Sequence, residues 1–427
     1  MKRINYPKAA EWPACLARPV QTAESLFDTV RPILEAVSSQ GDEALRAFGL
    51  RFDGVALDEL AVSNQEFDDC EQFISFELKQ AINLAKGTIT AFHAAQDQPL
   101  PVVKTADGVT CWQKSLPIER VGLYIPGGTA PLFSTVLMLA IPAKLAGCEE
   151  IILCTPPGKD GKVHPAVLYA AKVAGVRQVF KVGGAQAIAA MAYGTETIPK
   201  VYKIYGPGNQ YVTAAKQWVS LHEVAIDMPA GPSEVEVLAD ESANPVFVAS
   251  DLLSQAEHGA DSQAILITTA ADLADKVAIE VERQLATLPR KEVAIKALEN
   301  SRLIVVESLE VAIRATNAYA PEHLILAVEK PEELAERITN AGSIFLGHLT
   351  PESAGDYASG TNHTLPTNGY AKAYSGVNLD SFRKRITYQS ITPEGLRTIG
   401  PAIETMAEAE SLDAHKQAVT LRLNSLK

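Results

Sequence analysis

Between residues 120 and 346 the hydrophobic positions of this chain alternate between two rhythms. Short apolar runs at 121–125, 150–154, 178–182, 200–205 and 224–227 are separated by segments near 134–146, 165–174, 186–193 and 210–221 whose apolar residues recur at helical spacing. A second series follows, with runs at 235–238, 264–268, 302–306, 324–328 and 343–346, and helical segments near 245–257, 271–287, 309–319 and 331–341. Strands alternating with helices in units of this length predict mainly parallel sheets covered by helices on both faces. The two series read as a duplicated architecture without a residue-level repeat. Ahead of them, residues 25–96 are helical in period (Leu26, Val30, Ile33, Leu34, Val37, then Ile74, Leu78, Ile82, Ile89), and Pro99 and Pro101 close that region. Residues 1–20 form a Pro-interrupted arm. Beyond Gly376 the pattern is irregular, and the chain closes in a helix over 403–421 that carries Glu410 and His415.

A length of 427 residues exceeds what one core supports, so two large units with appendages are expected. The net charge of -13 argues against nucleic acid or an anionic membrane as the main partner. No apolar run is long enough to span a bilayer, and the charged, Pro-containing start lacks the apolar centre of a secretory signal, so a cytoplasmic location is expected. The five cysteines, Cys15, Cys70, Cys111, Cys148 and Cys154, are scattered and form no C-x-x-C, which suits reduced thiols better than a disulfide framework.

Four stretches carry candidate chemistry. In Leu253-Ser254-Gln255-Ala256-Glu257-His258-Gly259, at the end of a helical segment, Gln255 and His258 are three apart and share a face. That pair is half a metal site at best; the alternative is a helix-end histidine bonded to backbone. In Ala320-Pro321-Glu322-His323, the Glu-His pair can divide base and water-activating roles, provided both side chains sit in the turn after Pro321 rather than on opposite faces of a strand. The glycine- and hydroxyl-rich loop 351–363 holds a central Asp356, able to supply the anionic ligand that Gln255 and His258 lack, or simply a turn. The glycine-rich turns 125–131, 183–186 and 206–209 fall at carboxyl ends of predicted strands, where open α/β sheets bind ligands, although none is a G-x-G-x-x-G. His415 alone reads as a solvated helix residue.

As a set and in this order, the runs VGLYIPGG, GGAQAIAA, GPGN, AIDMPAGPSE, DLLSQAEHG, APEHL, PESAGDYASGTNH and AHK closely resemble the histidinol dehydrogenase family, over essentially the whole chain. The resemblance implies an α/β fold of two Rossmann-like domains with mainly parallel sheets, an N-terminal arm and a C-terminal helical extension. The corresponding organisation is an arm over 1–20, a discontinuous first domain of 21–120 and 234–377, an NAD-binding domain of 121–233, and a dimerisation tail of 378–427. It also implies a zinc-dependent, NAD-linked four-electron oxidation of L-histidinol, through the aldehyde, to L-histidine, the last step of histidine biosynthesis. The implied zinc ligands, one ion per subunit, are Gln255, His258, Asp356 and His415, the last reaching across a homodimer with shared active sites. Glu322 and His323 match the acid/base pair. Ser233, Glu410, His323 and the zinc ligands match the substrate contacts, and Tyr124, Gln186 and Asn209 match the NAD contacts. Ala320 and Thr129 stand where the family commonly has glycine and serine, and His348 falls outside its pattern, as a surface residue would.

Two rivals make different predictions. A thiol-dependent aldehyde dehydrogenase acting through Cys154 or Cys148 would be stopped by thiol reagents and indifferent to chelators. A two-domain solute-binding protein would bind ligand without forming NADH.

Overall fold

The computed structural model describes the chain apart from residues 20–22, 128–129 and 230 and the side chains of residues 23–25. Val20 at the end of the arm, Gly128 and Thr129 of the first glycine-rich turn, and Ala230 therefore lie outside the described residues. The described strands are β1 (Lys2–Asn5), β2 (Val102–Ala106), β3 (Val109–Pro117), β4 (Arg120–Tyr124), β5 (Glu150–Cys154), β6 (Gln178–Phe180) and β7 (Lys203–Tyr205). They continue as β8 (Ala225–Ile226), β9 (Glu234–Ala239), β10 (Gln263–Thr268), β11 (Arg302–Val305), β12 (His323–Ala327), β13 (Ser343–Leu346) and β14 (Arg383–Ile391).

Two parallel sheets and one small antiparallel sheet result. The first parallel sheet has the order β6-β5-β4-β7-β8, the second β1-β11-β10-β9-β12-β13. Without β1, both wind in the same way, outward from the first strand of each series and then across it. The duplicated rhythm of the sequence is thus a duplicated doubly wound topology, each with a switch point between its first and fourth strands, β4/β7 and β9/β12. The strands read as continuous apolar runs because helices cover both faces; every residue of β9, β10 and β12 is buried. Helix Phe133–Ala146 is apolar all round for the same reason, lying between its sheet and helix Phe76–Ala94.

The structure departs from the sequence expectations in three places. Residues 21–120 were expected with the unit of 234–377. Instead Val30, Leu34, Val37 and Leu45 pack with Ile188 and Val212, and Ile74, Ile82 and Ile89 pack with Leu123 and Leu137, so the N-terminal helices cover the sheet of 121–233. Only β1 joins the other sheet, as an edge strand paired with β11; the arm is not wholly irregular. An amphipathic stripe reveals that a helix has a buried face, not which sheet it covers.

Second, the C-terminal extension is not purely helical: β14 pairs antiparallel with β3, which pairs with β2. Third, the single helix expected over 403–421 is two helices, Pro393–Ala409 and Asp413–Asn424. Ser411 takes φ +59 between them, Leu412 N donates to Ala407 O, and Ser411 N donates to Glu408 O, a Schellman stop with serine where glycine is usual. A further helix, Lys291–Glu299, lies before β11.

At the β4/β7 switch point the loop after β7 is held hard. Lys216 Nζ, buried, donates to Gly206 O at 2.8 Å and pairs with Asp227, whose other oxygen accepts Gly206 N at 2.8 Å. Gly206 has φ +129, and a Cβ there would overlap the Tyr124 carbonyl oxygen, so the loop can approach β4 only as glycine.

Candidate active site

Helix Leu309–Tyr319 stops at Ala320, whose φ of +55 is the left-handed geometry that glycine adopts more readily, and Pro321 prevents the helix from resuming. The turn delivers Glu322 just before β12 and His323 as its first residue, in register with Val235 of β9 and Ser343 of β13. Because Glu322 sits outside the ladder, the two adjacent side chains meet the same residue. Glu322 Oε2 accepts from Glu234 N at 2.8 Å and from Ser233 Oγ at 2.7 Å. His323 Nδ1 lies 3.1 Å from Glu234 O. A carbonyl only accepts, so Nδ1 carries a proton, and in the neutral ring Nε2 has the lone pair. That Nε2 is buried and has no hydrogen-bond partner among the described residues.

Around the imidazole stand three carboxyl groups. Glu322 Oε2 is 3.6 Å and Glu352 Oε1 3.5 Å from Nδ1, and Asp356 Oδ1 is 3.7 Å from Nε2. Desolvation lowers the His323 pKa, but Glu352, Glu322 and Asp356 together outweigh it and raise the value to about 9. Desolvation also pushes Glu322 up to about 7 and Glu352 up to about 8. Glu352 is 1% exposed, and neither of its carboxyl oxygens has a hydrogen-bond partner among the described residues. His363, which bonds Asp356 O through Nδ1 at 3.0 Å, has its pKa lowered by burial.

The donor set fits a divalent cation. Ligand atoms of His258, Glu352 and Asp356 all lie within 4.8 Å of one another. Gln255, fully buried at the end of helix Pro245–Ala256, accepts from Ser233 Oγ at 3.4 Å and leaves its Nε2 without a partner. His258 follows in the turn after that helix. Its residue surface is exposed, yet the protein around the ring lowers its pKa, desolvation prevailing over Asp356. Buried carboxyl groups beside histidines and an amide form an environment that a hard or borderline cation satisfies.

Of the sequence-predicted residues, Ser233, Gln255, Glu322, His323 and Asp356 join one cluster, with His258 at its open side. Glu352 belongs to that cluster and was missed. Its only signal was an acid at the start of the loop 351–363, where it begins the short helix Glu352–Tyr357. Tyr124, Gln186 and Asn209 form a second group at carboxyl ends of the first sheet. Tyr124 OH accepts from Gly184 N at 3.0 Å, and burial raises its pKa to about 12. Gln186 is buried in helix Gly184–Tyr193, and Asn209 caps helix Gln210–His222 with its side-chain oxygen, leaving its amide N–H pair for another partner. The two groups are bridged by the loop 351–368: His363 Nε2 meets Thr135 Oγ1 at 3.2 Å in the first turn of helix Phe133–Ala146, and Asn362 Nδ2 donates to Met138 O at 2.6 Å.

Glu410 and His415 are not in the cluster. Both are exposed on the C-terminal hairpin, and their backbone bonds are local, Glu410 N to Met406 O and His415 N to Leu412 O. His348 is half-buried rather than on the surface, with Nε2 3.3 Å from Ser242 Oγ. Cys154 is fully buried with its thiol pKa raised by desolvation, and Cys148 is pushed up to about 11, so neither offers a thiolate.

The histidinol dehydrogenase family model matches residues 16–423. The chain belongs to the histidinol dehydrogenase family. It is 66% identical to the histidinol dehydrogenase of Bacteroides thetaiotaomicron over 427 residues, all of both chains. To that of Escherichia coli K12 it is 54% identical over 435 residues, covering 99% of each. The crystal structure of histidinol dehydrogenase from Elizabethkingia anophelis superposes with a TM-score of 0.97 at 55% identity, covering 100% of this chain and 98% of that one. An acetylating aldehyde dehydrogenase from Geobacillus thermoglucosidasius shares the fold, with a TM-score of 0.51 at 16% identity over 90% of this chain and 94% of its own. As a histidinol dehydrogenase family member the chain is an oxidoreductase, and no helix among its described residues is long and apolar enough to cross a membrane.

Proposed function

We propose that this protein oxidises L-histidinol through L-histidinaldehyde to L-histidine in the cytoplasm, as the last step of histidine biosynthesis, reducing two NAD per substrate at a zinc-containing site shared across a homodimer. The observation that carries this reading is His323 Nε2, a buried nitrogen without a hydrogen-bond partner among the described residues, on a ring fixed through Nδ1 to Glu234 O and surrounded by the cation-binding donors.

Gln255, His258, Asp356 and His415 of the partner subunit would hold zinc, which would supply a positive anchor for the imidazole and amine of histidinol. Tyr124, Gln186 and Asn209 would hold NAD, which when bound would supply the hydride acceptor for each oxidation. His323 Nε2 takes the proton of the substrate hydroxyl, while the Nδ1 hydrogen bond to Glu234 O fixes the ring and its tautomer. Glu322, its pKa near neutrality, takes the proton of the water that adds to the aldehyde. Ser233 and Glu234 N stabilise the ionised carboxylate between the two proton transfers. Because the same dyad serves both halves, the aldehyde need not leave. The exposed hairpin bearing Glu410 and His415 supports the shared site: helix Asp413–Asn424 has no fully buried residue within its own chain, and the side not packed on helix Pro393–Ala409 is open to a second copy.

The deciding experiment follows NADH absorbance on adding histidinol. Two NADH are expected per histidinol, with activity lost on chelation and restored by zinc. Absence of NADH, or turnover indifferent to chelators and stopped by thiol reagents, would replace this reading with a thiol-dependent one. Glu352→Gln removes a negative neighbour that raises the His323 pKa, so the acid limb of the kcat/KM profile moves to lower pH; an unmoved or alkaline-shifted limb contradicts the assigned electrostatics. Mixed dimers of inactive His258→Ala and His415→Ala subunits recover part of the activity, since one of their two sites has neither substitution; verified heterodimers without recovery exclude a shared site.

A further inference from the structure

Glu234 touches both members of the dyad through its peptide groups, so whatever holds Glu234 holds them. Its side chain points away from the pocket, 3% exposed, into the fork of Arg18: Nε donates to Oε1 at 2.6 Å and Nη2 to Oε2 at 2.8 Å. Arg18 belongs to the N-terminal arm, far in sequence from any motif. The same Nη2 also donates to Tyr319 O at 2.8 Å, and the guanidinium carbon stands 3.9 Å over the Tyr319 ring. Tyr319 is the last residue of the helix whose left-handed exit delivers Glu322 and His323. One guanidinium therefore ties the strand start that receives the dyad to the turn that presents it.

Neighbouring contacts are shaped to this residue. Asn368 N donates to Glu234 Oε1 at 2.6 Å, completing the carboxylate's bonding opposite Arg18. Gly369, at φ +74, leaves the space beside Arg18 Nη1, which a Cβ would approach to 3.3 Å. Gln263, in register with Glu234, donates to Ala17 O at 2.9 Å and accepts from Tyr319 OH at 2.8 Å, pinning the arm just before Arg18. A bidentate, stacked site is one that lysine cannot reproduce.

We propose that Arg18 is a positioning residue for the Glu322-His323 pair, fixing through Glu234 and Tyr319 the distance and orientation at which His323 Nε2 meets the substrate. This rests on the reaction proposed above. Arg18→Met and Arg18→Lys are compared with the unsubstituted enzyme for kcat, histidinol KM, zinc content and thermal midpoint, with rates measured well below each midpoint. Misplacement of the dyad by an ångström lowers kcat of Arg18→Met about 100-fold, with zinc stoichiometry unchanged and KM moved far less than kcat. Arg18→Lys, which keeps the charge without the fork, falls between.

A merely structural role would lower the midpoint and leave kcat per zinc-loaded site unchanged; that result overturns the proposal. If Arg18→Met does not fold, Arg18→Lys decides alone: full kcat with full zinc overturns the proposal, and reduced kcat with full zinc supports it. Failure of the unsubstituted enzyme to form NADH from histidinol would instead refute the reaction.

Discussion

The backbone of a single residue governs this site. Glu234 opens β9, and its N–H and C=O bond the carboxylate of Glu322 and the imidazole of His323 on neighbouring β12. Both bonds depend on the parallel register that places His323 beside Val235; a slip of one residue would send the imidazole to the other face of the sheet. In exchange for being tied at one end, each catalytic group is left with its working atoms directed to the pocket. Pre-set geometry of this kind costs burial of polar atoms unpaired among the described residues, visible in the oxygens of Glu352 and the Nε2 of His323, a cost that a bound cation would offset in part.

The placement of the dyad also departs from the habit of open parallel sheets, which use the carboxyl ends of their strands. Here the second sheet contributes the amino ends of β9 and β12, at its switch point, while the first contributes carboxyl-end turns at Tyr124, Gly184 and Asn209. The loop 351–368 spans the gap, carrying Glu352 and Asp356 on one side and contacts to Thr135 and Met138 on the other. On the function proposed above, opposite edges of two copies of the same topology serve different ends, one the cofactor and the other the acid/base chemistry. The same two-sheet fold in an aldehyde dehydrogenase of low identity is consistent with function residing in the site rather than in the fold.

Much of this was legible in the sequence. Strands buried on both faces are continuous apolar runs, so β5 and β13 fell at their expected bounds, and helices 165–174 and 309–319 likewise. Glu322, His323, Gln255, His258 and Asp356 lay in runs whose residue types already suggested proton transfer and cation binding. What remained hidden required the third dimension. The stripe of Val30, Leu34 and Val37 could not name the sheet it covers. β14, mostly exposed and rich in Arg, Lys and Thr, has no apolar alternation to announce it. Glu352 offered only an acid at a loop start, and Arg18 a lone cation in an arm, because Arg18 acquires meaning from Glu234, 216 residues away, and Glu352 from the burial that sets it against His323.

The central claim is that one dyad performs two distinct proton transfers, with Glu322 needed only after the aldehyde has formed. Counting NADH per zinc site in a single turnover of Glu322→Gln tests this most directly. The account predicts a first NADH at a rate near that of the unsubstituted enzyme, then a stall with histidinaldehyde on the protein. Formation of both NADH at unchanged rates, or loss of the first, would contradict it.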